Sequence, residues 1–230
     1  MFIGNKEKVY IKYTTITIYK GINIKISDFY KHKELKKIQD YVYNTIDFLE
    51  ENILMYLIIN NFTINIVSPK YLKSNIFKHL YGQNKKRLKK EGLLNKRAGI
   101  YIWGRKEVFL IYNKNDIERL LLHEIAHFLD YQGEFNIVFE DIIKMKKLNK
   151  QNFRRTHDAD FYEIYNSESI ESGFKNHNVK SYYEYFAECF AIYILNKNKN
   201  EVKKFKDRYK RIDKLEKSCC FIESFIKSFK

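Results

Sequence analysis

Five consecutive residues, His123-Glu124-Ile125-Ala126-His127, constrain this chain more than any other stretch. They read H-E-x-x-H and lie within residues 115–131, where Ile117, Leu120, Leu121, Ile125 and Phe128 recur at helical spacing. On a helix, positions i and i+4 share a face, so both imidazoles can reach one metal ion. Glu124, the next residue along, can then reach a water on that metal and act as its general base, the arrangement of zinc peptidases. A chance match would lack helical context. Here Asn115 or Asp116 is placed to cap the helix, and Glu118 in the first turn suits the dipole. No Pro or Gly intervenes before Gly133, which is expected to end it.

A catalytic zinc keeps three protein ligands and one open position. The extended signature H-E-x-x-H-x-x-G-x-x-H fails, because its Gly position is Asp130 and its last His position is Gly133. The third ligand must come from elsewhere, and Glu184 is the first candidate. Glu184 and Glu188 are one helical turn apart, and a shared face sets their charges against each other; a nearby cation would offset that repulsion. A capping box from Ser181 to Glu184 is the structural alternative. It leaves Glu188 unexplained, which sits among Phe186, Ala187, Phe190 and Ala191 and needs a partner. The free ring N–H of a ligand histidine would supply one. The cluster His157, Asp158 and Asp160 is the second candidate, and Glu134, Glu168 and Glu171 also lie between the two helices. His32 and His79 have no ligand-like spacing.

Composition bounds the rest. The 230 residues suffice for one domain or slightly more, and 45% hydrophobic content with 18 Phe and 19 Tyr is ample for a core. We expect an N-terminal α+β part over 1–95 and a metallopeptidase part over 96–230, together forming one domain. One Pro and eight Gly argue against long linkers. No apolar run is long enough to span a bilayer, so no membrane partner is expected. The first residues alternate polar and apolar without a signal-peptide h-region, so the chain as written is expected in the cytoplasm, or outside the cell if it is a trimmed toxin or mature form. Cys189, Cys219 and Cys220 form no disulfide framework and have no C-x-x-C spacing, which suits a reducing compartment.

The net charge of +15 raises a nucleic-acid role. The basic residues are spread, however, and dense only over 85–90 and 203–217. The second stretch alternates with Asp207, Asp213 and Glu216, as a solvated helix face does. A peptide or protein substrate is the expected partner instead. A metal-binding interaction module that recognises peptides without cutting them is a further alternative, but such a module has no need of Glu124.

Along the chain, 9–18 and 22–26 read as strands across a Lys20-Gly21 turn. Residues 34–59 carry one long helical pattern, 62–67 a short strand, and 69–90 a basic helix. Residues 99–112 read as a hairpin around Gly104-Arg105-Lys106, with Ile100, Ile102, Val108, Leu110 and Tyr112 available to the core. Its edge could hold an extended substrate by backbone pairing. Helices are expected over 135–147, 160–169, 181–195 and 201–229. The fold class is therefore α+β: a small mixed sheet with an edge hairpin packed on the H-E-x-x-H helix, followed by a mostly helical half.

The strings H-E-I-A-H-F-L-D, from His123 to Asp130, and E-Y-F-A-E, from Glu184 to Glu188, together resemble the catalytic domain of anthrax lethal factor and the related Pro-Pro endopeptidases, which are gluzincins. The resemblance covers about residues 99–195. It implies zinc held by His123, His127 and Glu184, Glu124 as the base, and Glu188 supporting from behind. The family stabilises the oxyanion with a Tyr upstream of the ligand Glu; this sequence has His177 at that position, with Tyr182 and Tyr183 as alternatives. The long interval before Glu184 implies an insertion around 144–158. The small intracellular metallopeptidases that cleave phage-type repressors also carry H-E-I-A-H with a later Glu, and they are the second family this chain is similar to.

Overall fold

The computed structural model describes residues 11–69, 71, 99–102, 106–132, 159–171, 182–199 and 215–229. β-Branched and aromatic residues alternate through β1 (Tyr13–Tyr19) and β2 (Ile22–Ser27), which pair antiparallel. Lys20 and Gly21 both adopt positive φ, 45° and 79°, as the two-residue turn between twisted strands requires. A Cβ on Gly21 would also stand 2.9 Å from Ile58 Cγ1, so the position excludes side chains on two grounds. The remaining strands are β3 (Thr63–Ile66), β4 (Gly99–Ile102) and β5 (Glu107–Leu110). The sheet order is β1-β2-β3-β5-β4, with β2, β3 and β5 parallel and the two outer pairs antiparallel.

The long helix expected over 34–59 is two helices, α1 (His32–Asp47) and α2 (Glu51–Ile59). No Pro or Gly breaks them. The Phe48 carbonyl accepts from Asn198 Nδ2 at 3.3 Å, and Glu50 pairs with Lys197 at 2.7 Å, so a distant helix stabilises the corner. Leu49 and Ile53 both stay buried across it. The helix α3 (Ile117–Gln132) carries the H-E-x-x-H residues. Its first turn is set by Asn113, whose Oδ1 accepts from Asn115 N–H at 3.1 Å and whose carbonyl accepts from Ile117 N–H at 2.9 Å. Asp116, one of the two expected caps, places its carboxylate on Arg119. Helices α4 (Ala159–Glu171), α5 (Tyr182–Lys199) and α6 (Glu216–Lys227) follow. Gly133 and the helices expected over 69–90, 135–147 and the start of 201–229 lie outside the described residues.

α3 packs against β4, β5, α1 and α5. The sheet face toward it supplies Ile22, Ile24, Ile26, Ile64, Ile66, Tyr101, Val108 and Leu110 to the main core. Directly opposed residues of an antiparallel pair share a face, which places Tyr101 beside Val108 and sends Ile100 to the other side with Phe109 and Val67. Ile100 is thus buried as expected, on the face opposite Val108 and Leu110. Phe128 of α3 meets Phe62 at 4.8 Å and Tyr101 at 5.7 Å between ring centroids. No helix among the described residues is long and apolar enough to cross a membrane.

α6 is started by a residue from another helix. The buried Glu168 carboxylate of α4 accepts from the N–H groups of Lys217 and Ser218, at 2.8 and 3.0 Å, and from Ser218 Oγ at 2.6 Å. These are the amides a helix N-terminus leaves without partners, and the negative charge suits the dipole there. Glu168→Ala should lower stability by about 2 kcal/mol, the cost of buried donors losing a charged acceptor. Urea unfolding with an unchanged slope would measure it; an unchanged midpoint would show that water replaces the cap.

Candidate metal centre

The same helical spacing that buries Ile125 and Phe128 turns His123 and His127 toward α5. Their Nε2 atoms stand 3.1 Å apart. From α5, Glu184 brings Oε2 to 3.3 Å from His123 Nε2 and Oε1 to 3.6 Å from His127 Nε2. Among the described residues His123, His127 and Glu184 form one cluster, each offering a ligand atom, all within 4.8 Å of one another. Donors about 2 Å from a shared tetrahedral centre stand roughly 3.3 Å from each other. The observed spacings bracket that value, and a neutral-imidazole and carboxylate set suits a transition metal. The residues present therefore fit a metal ion.

Glu184 is accordingly engaged at the imidazoles; Ser181, its partner in the capping-box reading, lies outside the described residues. His157, Asp158 and Glu134 also lie outside them, as do the side chains of Asp160 and Glu171. Glu168 is taken up by α6. His32 begins α1 at the surface. His177 lies outside the described residues. Tyr182 packs its ring near those of Tyr162 and Tyr165 of α4, at 6.1 and 6.4 Å, and Tyr183 lies 5.2 Å from it.

Behind the cluster, Glu188 is buried with Oε1 3.4 Å from His123 Nδ1. That is the place expected for a carboxylate orienting a ligand imidazole. Sequence reasoning missed Arg119, which donates from Nη1 to Glu188 Oε1 at 2.5 Å and is itself gripped by Asp116 through Nε and Nη2 at 2.7 and 2.8 Å. The signal was present: Arg119 lies one turn before His123 on the same helix face. Also missed was Gly99. A Cβ there would stand 2.9 Å from Glu124 Oε1, so the β4 backbone lies directly against this carboxylate. The Tyr101 backbone donates to Glu124 from the same strand.

The electrostatics follow from burial and crowding. Burial pushes the Glu124 carboxyl up, against the pull of the two imidazoles and the Tyr101 hydrogen bond. Burial works against an ionised Glu184 as well, yet His127 and His123 hold its carboxyl well below the usual range. Burial alone would lower His123; the hydrogen bond to Glu184 and the charges of Glu188, Glu184 and Glu124 outweigh it and push the ring up to about 9. A histidine raised by folding stabilises the fold fully below its unfolded value and ceases to do so as pH climbs through its folded value. In chelator, the Tm should therefore fall between roughly pH 6.5 and 9. Saturating metal should flatten that decline, because ligand histidines are neutral. A flat profile in chelator would contradict this charge arrangement.

The H-E-x-x-H…E cluster has the geometry of a gluzincin active site. The family model described as "Anthrax toxin lethal factor, N- and C-terminal domain" matches residues 11–214, which extends the resemblance well beyond 99–195 and into the N-terminal part. No curated protein sequence matches the chain. Motif, geometry and family match together support assignment as a metallopeptidase, and the chain belongs to the anthrax toxin lethal factor family.

Proposed function

We propose that this chain is a zinc-dependent metalloendopeptidase. The observation that carries the reading is the convergence of His123, His127 and Glu184 on one point, with Glu124 on the same helix and pressed against an edge strand. His123 and His127 through Nε2, and Glu184 through its carboxylate, would hold the ion. Zinc, when bound, acidifies a water and polarises the scissile carbonyl.

The remaining work falls to the chain. Glu124 takes a proton from the attacking water and passes it to the departing amine. Its burial favours this, since a carboxyl pushed up from its ordinary value accepts a proton more readily. The Tyr101 N–H and the Gly99 backbone hold that carboxylate in one place. Among the described residues β4 pairs with β5 alone, so the edge groups of β4 other than the Tyr101 N–H suit an extended peptide held by backbone pairing. His177, where the family carries a Tyr, is the proposed hydrogen-bond donor to the oxyanion.

Elemental analysis paired with a peptide-library digest tests this reading. Wild type should carry about one zinc per chain and cleave in a chelator-sensitive manner. Glu124→Gln should keep its metal and lose turnover by a factor of about 1,000 or more. Glu184→Ala should lose the metal. Full occupancy in that variant would move the third ligand elsewhere, and metal without any cleavage would favour a peptide-binding module. Gly99→Ala offers an independent check. Its Cβ would displace Glu124 or Leu110, so turnover should drop at least tenfold with zinc content unchanged; equal turnover would show that the carboxylate relocates freely.

A further inference from the structure

We propose that Arg119 is a positioning residue for the metal ligand His123, acting through Glu188. The proposal rests on the metal-site reading above and names the device that sets the ligand's orientation in this chain.

Four side chains form a line: Asp116, Arg119, Glu188 and His123. Asp116 binds the guanidinium at two points, so the fork has one orientation. Its remaining edge, at Nη1, meets Glu188 Oε1. Arg119 and Glu188 side chains are only 10% and 11% exposed, so little solvent competes with this pairing. Glu188 in turn faces His123 Nδ1, while His123 Nε2 points to the ligand cluster.

Two buried atoms in this line have no hydrogen-bond partner: His123 Nδ1 and Glu188 Oε2. They are complementary, because a ring N–H donates and a carboxylate oxygen accepts. The terminal torsion of a glutamate is soft, so a small rotation of the carboxylate joins them while the other oxygen stays on Arg119. A proton fixed on Nδ1 leaves the Nε2 lone pair for a metal. Arg119 thereby serves two ends. It compensates the buried Glu188 charge and aims that carboxylate at the ring. Without it, Glu188 would be held by His123 alone, and the imidazole would be free to take its proton at the wrong nitrogen.

Zinc affinity, measured by competition with a chromophoric chelator, tests the inference in wild type, Arg119→Met, Glu188→Gln and the double variant, with the cobalt(II) absorption spectrum as a second readout. Arg119→Met should weaken zinc binding about 10- to 100-fold and shift the cobalt bands. Arg119→Lys, which keeps the charge but not the fork, should recover only part of that loss. In the Glu188→Gln background, adding Arg119→Met should change affinity no further, since the residue through which Arg119 acts is already neutral. The double variant also carries the test if Arg119→Met alone fails to fold, because it leaves no unpaired buried carboxylate. Equal affinity in wild type and Arg119→Met, or full additivity in the double variant, would overturn the inference. A wild type that binds no zinc would overturn the metal-site reading itself, and the inference with it.

Discussion

The contact between α3 and α5 governs everything else in this structure. It brings His123, His127 and Glu184 within 4.8 Å of one another and lines Glu188, Arg119 and Asp116 behind them, most of them shielded from water. Each buried charge costs several kcal/mol in lost hydration unless it is matched. The match is built in: Arg119 against Glu188, Asp116 against Arg119, and the two histidines against Glu184. Apolar neighbours supply the drive that keeps the helices together. Leu121, Leu122, Ile125, Phe128, Phe186 and Phe190 are all fully buried, while the small Ala126 and Ala187 add little bulk between them. The site is therefore a polar seam held by a large apolar surround, and its geometry is inherited from helix packing.

Much of this was legible in the sequence where local pattern decides the outcome. The spacing of His123 and His127, the apolar stripe beside them and the Glu184–Glu188 pair each encode a helix face directly. The β1–β2 hairpin was likewise readable from alternation and the Lys20-Gly21 turn. What stayed hidden depends on partners far along the chain. The corner between α1 and α2 has no breaker of its own, since Asn198 and Lys197 hold it from α5. Glu168 resembled a ligand candidate because nothing near it in sequence shows that the amides of α6 will claim it. Ile100 packs as expected, but the face it takes was not readable, because a one-residue change of register reverses every side chain in so short a strand. Arg119 was within reach of the periodicity argument, but a lone arginine among leucines reads as an ordinary snorkelling side chain.

The N-terminal strands carry no recognisable sequence motif, although the family match begins at residue 11. They brace the sheet. β2 and β3 continue the same sheet that ends in β4, and Asn65, buried on β3, accepts from Tyr13 and donates to the Val108 carbonyl of β5. Tyr30 links the ends of β3 and β5 by donating to the Val67 carbonyl and accepting from Tyr112 N–H, both at 2.9 Å. The strand beside Glu124 is thus braced from the far side of the sheet, and residues without a functional signature set where the Glu124 carboxylate sits.

α6 lies beyond the end of the family match at residue 214, yet it closes the core. Ile222, Phe225, Ile226 and Phe229 are buried, and Asn52 of α2 reaches across to the carbonyls of Ile226 and Phe229. Phe225 covers Phe186, two residues before the Glu188 that backs His123. A fragment cut at residue 214 would strip that cover from α5 and leave the helix bearing Glu184 with an open apolar flank. The packing that holds α5 therefore extends past residue 214, where the family match ends.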